Sequence, residues 1–170
     1  MRLQDKRALV TGAAGGIGPS VAVILSKMGA HVTIGDINEA GLKETAALMN
    51  EHTHVVAYDA LDTAACEALV ADAAKDGLDI LCNNAGYLDW AVTQDFDTAR
   101  FLKIIQINLV STYTISRAAF PHLAKSKGSI VNTASTAAIV GIPFSAAYTA
   151  SKHGVAGLTK SLAVEWAPHG

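Results

Sequence analysis

Tyr148 and Lys152, near the end of the sequence, have a spacing that suggests shared chemistry. They stand four residues apart, and on a helix positions i and i+4 lie on the same face. A lysine cation beside a phenol stabilises the phenolate, so such a tyrosine can exchange a proton with a reacting group near neutral pH. Together with Ser135, upstream of the pair, this spacing predicts acid/base catalysis. The alternative interpretation is a core aromatic residue, a solvated lysine and a turn serine.

The segments that must position these side chains alternate regularly along the chain. Short runs rich in Val, Ile and Leu, each ended by Gly, Asp or Asn, predict strands at 7–11, 30–35, 53–58, 79–82 and 129–133. Longer amphipathic runs predict helices at 17–28, 39–50, 63–75, 95–123 and 146–166. Strands without polar alternation are covered on both faces, so we expect an α/β fold with a doubly wound parallel sheet in three α/β/α layers.

Length and charge narrow the class of protein. A chain of 170 residues is long enough for one domain with a core, and we expect residues 1–170 to form a single domain. A net charge of −2 without a Lys/Arg cluster argues against a nucleic-acid partner. The apolar run 21–25 is too short for a membrane span, and no signal-peptide core follows the N-terminus, so we predict a cytoplasmic protein.

A metal site is not expected. Cys66 and Cys82 are too far apart for a zinc knuckle or a Cys-x-x-Cys redox pair, and small buried side chains explain them better. His52 and His54 lie close together in the sequence but lack a third ligand at a suitable spacing.

The predicted helices at 95–123 and 146–166 carry apolar residues almost all round. Such residues cannot all face one sheet, so each helix needs a second packing surface. We expect a homodimer or homotetramer formed through these two helices. Cover from another part of the same chain is the alternative.

A glycine-rich turn joins the first predicted strand to the first helix. Glycines there let the backbone turn tightly and bring its amides close to a pyrophosphate at the helix N-terminus. An ordinary β-α turn is the alternative. The candidate cofactor contacts in this turn are Gly12, Gly16, Ile17 and Gly18.

Two carboxylates follow the next two strands. Asp36 stands where an acid reaches the adenosine ribose hydroxyls in dinucleotide-binding folds, and it would repel a 2′-phosphate, so NAD is favoured over NADP. Asp59 could accept a hydrogen bond from the adenine amino group. A solvated turn or N-cap aspartate is the alternative for Asp36, and helix capping for Asp59.

The fourth strand ends in small and amide-bearing residues where a ligand could approach the backbone, although a simple turn would look similar. The candidates are Asn84, Ala85 and Gly86. Suggestive residues therefore follow every predicted strand, at the carboxyl edge where doubly wound sheets hold their ligands.

Taken together, these motifs resemble the short-chain dehydrogenase/reductase family in its compact single-domain branch. The resemblance rests on Thr-Gly-x-x-x-Gly-x-Gly at 11–18, Asn-Asn-Ala-Gly at 83–86, and the Ser, Tyr, Lys set. It implies a Rossmann fold and an NAD-dependent oxidoreductase that interconverts a secondary alcohol and a ketone.

The resemblance also implies a role for each catalytic residue. Tyr148 would exchange a proton with the substrate oxygen, and Ser135 would hold that oxygen. Lys152 would bind the nicotinamide ribose and favour the phenolate. Asn108 would bend its helix and position a water that links Lys152 to solvent.

One departure from the family pattern concerns the end of the sequence. Family members continue with a sixth strand, a substrate-covering helical segment and a seventh strand, so the sequence looks like a fragment whose last strands are missing. This leaves open an alternative function, a truncated nucleotide-binding or self-associating module without turnover. Epimerase or dehydratase chemistry on a nucleotide sugar fits the glycine spacing poorly. Five apolar residues could line the substrate site, although core packing explains them equally well: Leu88, Ala138, Ile139, Ile142 and Phe144.

Overall fold

The computed structural model describes residues 3–170 and contains one parallel five-stranded sheet. The strands are β1 (Arg7–Thr11), β2 (His31–Asp36), β3 (Thr53–Ala57), β4 (Ile80–Asn83) and β5 (Ser129–Asn132). The α-helices are α1 (Gly18–Lys27), α2 (Glu39–Ala46), α3 (Thr63–Ala73), α4 (Thr98–Ile105), α5 (Ser111–Ser126) and α6 (Ala146–Trp166). Short 3-10 turns occupy Thr93–Asp95, Thr136–Ala138 and Ala167–His169.

The strand order is β3-β2-β1-β4-β5, so the chain reverses its direction of travel between β3 and β4. Side chains alternate between two buried layers because neighbouring strand residues face opposite sides of a sheet. Leu9 and Leu81 pack with residues of α3 and α5, whereas Val10 and Cys82 pack with residues of α1 and α2. The expected doubly wound, three-layer fold is confirmed.

All five strands lie where the sequence predicts them, within one or two residues at each end. Full burial on both faces holds for the interior of β1 and β2 but not for the edge strands. In β3 most residues are exposed or half-buried, and in β5 Val131 is 56% exposed. β3 and β5 are the edge strands of the sheet, each with one strand neighbour, so less of each strand is covered.

The prediction of a single α-helix over 95–123 is wrong in detail. The structure instead has α4, a π-helical turn at Gln106–Val110, and then α5, which runs on to Ser126. Asp97 sets the start of α4, because its carboxylate accepts a hydrogen bond from the Ala99 amide. The π turn places Asn108 in the interior, at 1% exposure.

Among the residues that the structure describes, no helix is both long enough and apolar enough to span a bilayer.

Candidate active site

A cleft of about 920 Å³ lies along the carboxyl ends of the strands. Eleven of the thirteen predicted site residues line it: Gly12, Gly16, Ile17, Asp36, Asp59, Asn84, Ala85, Gly86, Ser135, Tyr148 and Lys152.

 The other two, Gly18 and Asn108, do not line the cleft and are buried. The strand ends therefore gather the predicted residues at one edge of the sheet.

The glycine loop brings the ends of β1 and β4 together. Gly12 has a φ of +65°, and a Cβ there would lie 2.6 Å from the Ala85 Cα, so only glycine fits. A Cβ on Gly18 would lie 2.0 Å from the Gly12 carbonyl oxygen, which shows that this glycine serves the tight turn itself. Gly15, by contrast, has nothing within 4 Å of where its Cβ would be and faces open space. The loop thus presents bare backbone to the cleft.

Asp36 holds the loop in place from the end of β2. Its Oδ2 accepts a hydrogen bond from the Ala14 amide at 3.0 Å, and its Oδ1 accepts one from the Asn38 amide at 2.9 Å. A carboxylate has about four lone-pair sites, so both oxygens keep capacity for a ligand hydroxyl. Asp36 is therefore both a structural residue and a candidate ligand contact.

Asp59 has a turn role but does not cap the following helix. Its Oδ1 accepts a hydrogen bond from the Leu61 amide at 2.8 Å, whereas the N-cap of α3 is Asp62. The helix-capping alternative for Asp59 is wrong, and its carboxylate lines the cleft.

The catalytic candidates meet at the other end of the cleft. Ser135 Oγ accepts a hydrogen bond from the Ala137 amide at 3.1 Å, which leaves its own proton free to be donated. The Lys152 Nζ lies 5.7 Å from the centroid of the Tyr148 ring and donates a hydrogen bond to the Thr133 carbonyl at 2.7 Å. Lys152 is only 4% exposed, and this burial lowers its pKa, because the charged form loses solvation.

Asn108 does not face the cleft but joins three elements behind it. Its Nδ2 donates to the Tyr87 carbonyl at 3.0 Å and to Ser151 Oγ at 2.9 Å, and its Oδ1 accepts from the Tyr87 amide at 2.7 Å. Ser151 Oγ in turn donates to the Tyr148 carbonyl at 2.7 Å. The π turn is therefore tied to the loop after β4 and to the helix that carries Tyr148.

Three supporting groups were not among the predicted site residues. Thr11 Oγ1 accepts hydrogen bonds from the Asn84 and Ala85 amides, at 3.0 and 3.1 Å, and so joins β1 to the loop after β4. The Thr133 carbonyl receives Lys152, and Ser151 connects Asn108 to α6. Thr11 belongs to the glycine motif and could have been found, whereas a backbone carbonyl carries no signal in the sequence.

The residues around the cleft fit a dinucleotide. Bare glycine backbone at the start of α1 suits a pyrophosphate, and Asp36 at the end of β2 suits a ribose. Tyr148 and Lys152 line the same cleft as these residues.

This combination of a parallel sheet, a glycine turn and a cleft at the reversal of strand order defines a Rossmann-type α/β protein. The profile of the family described as short chain dehydrogenase matches residues 6–170. The chain belongs to the short-chain dehydrogenase family of oxidoreductases, as the resemblance implied.

Known proteins agree with this assignment. The chain is 38% identical to the 2-dehydro-3-deoxy-D-gluconate 5-dehydrogenase of Bacillus subtilis (strain 168), over 99% of this chain and 68% of that protein. It is 37% identical to the D-beta-hydroxybutyrate dehydrogenase of Cupriavidus necator, over 99% of this chain and 67% of that protein. A crystal structure of a candidate short-chain alcohol dehydrogenase from Sinorhizobium meliloti 1021 superposes with a TM-score of 0.94 at 41% identity, covering 99% of this chain and 69% of that one.

Proposed function

We propose that the protein is an NAD-dependent oxidoreductase that interconverts a secondary alcohol and a ketone. The observation that carries this proposal is that Ser135, Tyr148 and Lys152 line the same cleft as the glycine loop and Asp36. A proton-transfer group and a dinucleotide site within one cleft are what a hydride-transfer reaction requires.

In the proposed oxidation, the Tyr148 phenolate takes the proton of the substrate hydroxyl as the carbon–oxygen double bond forms. A nicotinamide cofactor, held by the glycine loop, Asp36 and Lys152, would supply the acceptor for the hydride that leaves the same carbon. The Ser135 hydroxyl donates a hydrogen bond to the reacting oxygen and so orients it. Lys152, held by the Thr133 carbonyl, provides the positive charge that favours the phenolate and a donor for the cofactor ribose. Reduction follows the same steps in reverse.

NAD, as opposed to NADP, is the proposed cofactor because of Asp36. A 2′-phosphate would be placed beside this carboxylate, and the neighbouring cleft residues Gly15, Ile37 and Asn38 supply no compensating cation. The same reaction measured with each coenzyme tests this part of the proposal, and a higher kcat/KM with NADP would contradict it.

The substrate and the assembly are also matters of proposal. Both named relatives act, by their names, on molecules that carry a carboxylate, a gluconate derivative and hydroxybutyrate. A small alcohol or ketone is the substrate class that we propose for this chain. We further propose a homodimer or homotetramer formed through α4, α5 and α6, and a cytoplasmic location.

Replacement of Tyr148 by phenylalanine tests the mechanism. Removal of the phenolic oxygen eliminates the proton acceptor, so we expect kcat for oxidation of a secondary alcohol to fall by about 10²- to 10⁴-fold. The absorbance of NADH follows the reaction. Tyr113→Phe on α5 is the matched control, since it removes the same atom from a side chain that does not line the cleft, and its rate should equal that of the wild type.

Equal rates for Tyr148→Phe and the wild type would remove Tyr148 from the mechanism. The alternative of a nucleotide-binding module without turnover predicts stabilisation by NAD, about 2.7 kcal/mol at a hundredfold excess over Kd, but no product. Any NADH that appears with the wild-type chain and disappears with Tyr148→Phe excludes that alternative.

A further inference from the structure

Two loops that flank the catalytic residues expose large apolar side chains. Leu88, Trp90 and Val92 come from the loop after β4, and Ile139, Val140 and Phe144 come from the loop between β5 and α6. We call these six residues the apolar wall. Ile139 is 82% exposed and Phe144 is 58% exposed, so core packing, the alternative explanation from the sequence, does not account for them.

The apolar wall adjoins the candidate active site through Leu88. The Ala91 amide donates a hydrogen bond to the Phe144 carbonyl at 3.1 Å, which joins the two loops. Leu88 lines the cleft together with Ser135 and Tyr148. Phe144 precedes Tyr148 by four residues, and Ile139 follows Ser135 by the same number. A substrate whose oxygen meets Ser135 and Tyr148 would therefore extend towards this wall.

The two loops that form the wall carry no positive charge that could bind an anionic group of the substrate. Residues 84–95 and 133–147 contain no lysine or arginine. Asp89 stands between Leu88 and Trp90, and its carboxylate accepts two hydrogen bonds from Arg100, at 2.9 and 2.8 Å. Arg100 is thereby engaged, and it lowers the pKa of Asp89 by donating these hydrogen bonds. A substrate carboxylate on these two loops would lose water without gaining a cation from them, since the cleft lysines Lys103 and Lys152 come from α4 and α6.

A small pocket with three phenylalanines in its lining lies next to the wall. It measures about 220 Å³ and its apolar lining is Ala91, Phe96, Phe101, Phe144, Ala146 and Ala147, while Asp89, Thr93 and Thr98 contribute polar groups. An apolar cavity of about 150 Å³ is enough to hold benzene. The pocket can therefore accept a ring or a branched alkyl group.

From these observations we propose that the substrate is an uncharged secondary alcohol, or the corresponding ketone, whose larger substituent is an aromatic or branched apolar group seated on the apolar wall. The proposal rests on the proposed function, since it assigns the substrate class of the same site.

Matched substrates test the proposal kinetically. 2-Pentanol and 3-hydroxybutyrate differ in an ethyl group against a carboxylate, and we expect kcat/KM to favour 2-pentanol by about tenfold or more. Within unbranched 2-alkanols, kcat/KM should rise about fourfold with each added methylene group. A preference for 3-hydroxybutyrate, or no increase along the series, would overturn the proposal. Lys103 on α4 also lines the cleft. If the wild type preferred 3-hydroxybutyrate and Lys103→Gln abolished that preference, Lys103 would be identified as the group that binds the substrate carboxylate.

Substitution of the wall tests which surface the substrate touches. Ile139→Ser should lower kcat/KM for 2-pentanol about tenfold, with the melting temperature unchanged because the side chain is 82% exposed. Leu48→Ser is the matched control, since Leu48 is 66% exposed and lies beyond the end of α2, outside the cleft lining. Equal kcat/KM for Ile139→Ser and Leu48→Ser would count against the wall.

Trp90 provides a binding signal that does not depend on turnover. The chain has two tryptophans, so Trp166→Phe leaves Trp90 as the sole emitter. With NAD and 4-phenyl-2-butanone, both already oxidised, no reaction can occur, and we expect a blue shift as the ketone displaces water from Trp90. Acetoacetate should produce no shift.

This signal separates the two proposals. A blue shift in a chain that oxidises no alcohol would sustain the apolar wall while the proposed function failed. No shift with the phenyl ketone would overturn the wall even if turnover were observed. A shift that depends on protein concentration and not on ketone would show that a second copy of the chain covers the wall, and this too would overturn the proposal.

Discussion

Lys152 carries a positive charge into a place from which water is almost excluded. It is 4% exposed, and the one hydrogen bond that the structure gives its Nζ goes to the Thr133 carbonyl. Burial lowers its pKa from the ordinary value of 10.5, which means that the protonated form is less favourable in the folded than in the unfolded chain. Its burial therefore costs stability, and the proposed catalytic role would account for a charge at this position.

Replacement of Lys152 by methionine should separate these two effects. We expect kcat to fall by about 10²-fold or more, because the charge that favours the phenolate is lost. The free energy of unfolding at pH 7 should equal or exceed that of the wild type, since methionine fills a similar volume without a charge to desolvate. Chemical denaturation and NADH formation measure the two quantities. Lys160→Met, at an exposed position on the same helix, is the control and should change neither.

The stability cost of burying the Lys152 charge should depend on pH. Between the lowered pKa of folded Lys152 and 10.5, the unfolded chain binds more protons, so this residue makes wild-type stability rise with pH. The advantage of Lys152→Met should therefore shrink as the pH approaches 10.5. Burial raises the pKa of Tyr58, and it raises that of Cys66 to about 11. These two residues make stability fall as the pH rises, and they do so equally in the wild type and in Lys152→Met. The difference between the two unfolding curves isolates Lys152, and an advantage that grows with pH would contradict the argument.

At the scale of residues, the sequence predicted which side chains lie at the cleft better than it predicted their hydrogen-bond partners. The Tyr-x-x-x-Lys spacing and the glycine motif were enough to place Tyr148, Lys152 and Gly12 at one cleft. The Thr133 carbonyl could not be predicted, because every residue has one and only the path of the chain after β5 brings it to Lys152. The residue roles in catalysis stay predictions.

At the scale of elements, the π turn between α4 and α5 is the feature that matters most. It turns Asn108 towards the interior, where Tyr87 and Ser151 together satisfy its amide group. Hydrophobic periodicity predicted one helix over 95–123, because one extra residue in a turn hardly changes an apolar pattern. The strands were easier to predict, since each is a short apolar run with a clear stop.

A double-mutant cycle on Asn108 and Ser151 tests the link between the π turn and α6. Each single alanine substitution leaves a buried polar group without its partner, so we expect each to lower the free energy of unfolding by about 1–3 kcal/mol. The double substitution should cost less than the sum of the two, by about 0.5–3 kcal/mol, because the shared hydrogen bond is lost only once. Urea denaturation measures all four proteins. Additive losses would show that the hydrogen bond between Asn108 and Ser151 does not couple the two elements.

At the scale of the whole molecule, the order of the strands explains why the site is where it is. The chain travels outward from β1 to β3, returns to β4 beside β1, and so leaves a crevice between the ends of β1 and β4. Thr11 and Gly12 bring these two ends into contact, and the cleft opens above them. The alternation of strands and helices in the sequence was sufficient to predict that the candidate residues gather at this edge.

The outer surface of α4 and α6 is where a second copy of the chain should bind. Leu102 on α4 is 58% exposed and Val164 on α6 is 80% exposed. Both lie on helices for which the sequence predicts a second packing surface. We expect the protein to sediment as a dimer or tetramer, and Val164→Asp to shift it to the monomer, because a carboxylate at the centre of an apolar contact would be desolvated without a partner. Ile24→Asp, at a position on α1 that is 57% exposed, is the matched control and should leave the assembly intact. Analytical ultracentrifugation at several protein concentrations distinguishes these outcomes. A wild-type monomer at all concentrations, or an assembly that persists in Val164→Asp, would show that this surface does not join two copies.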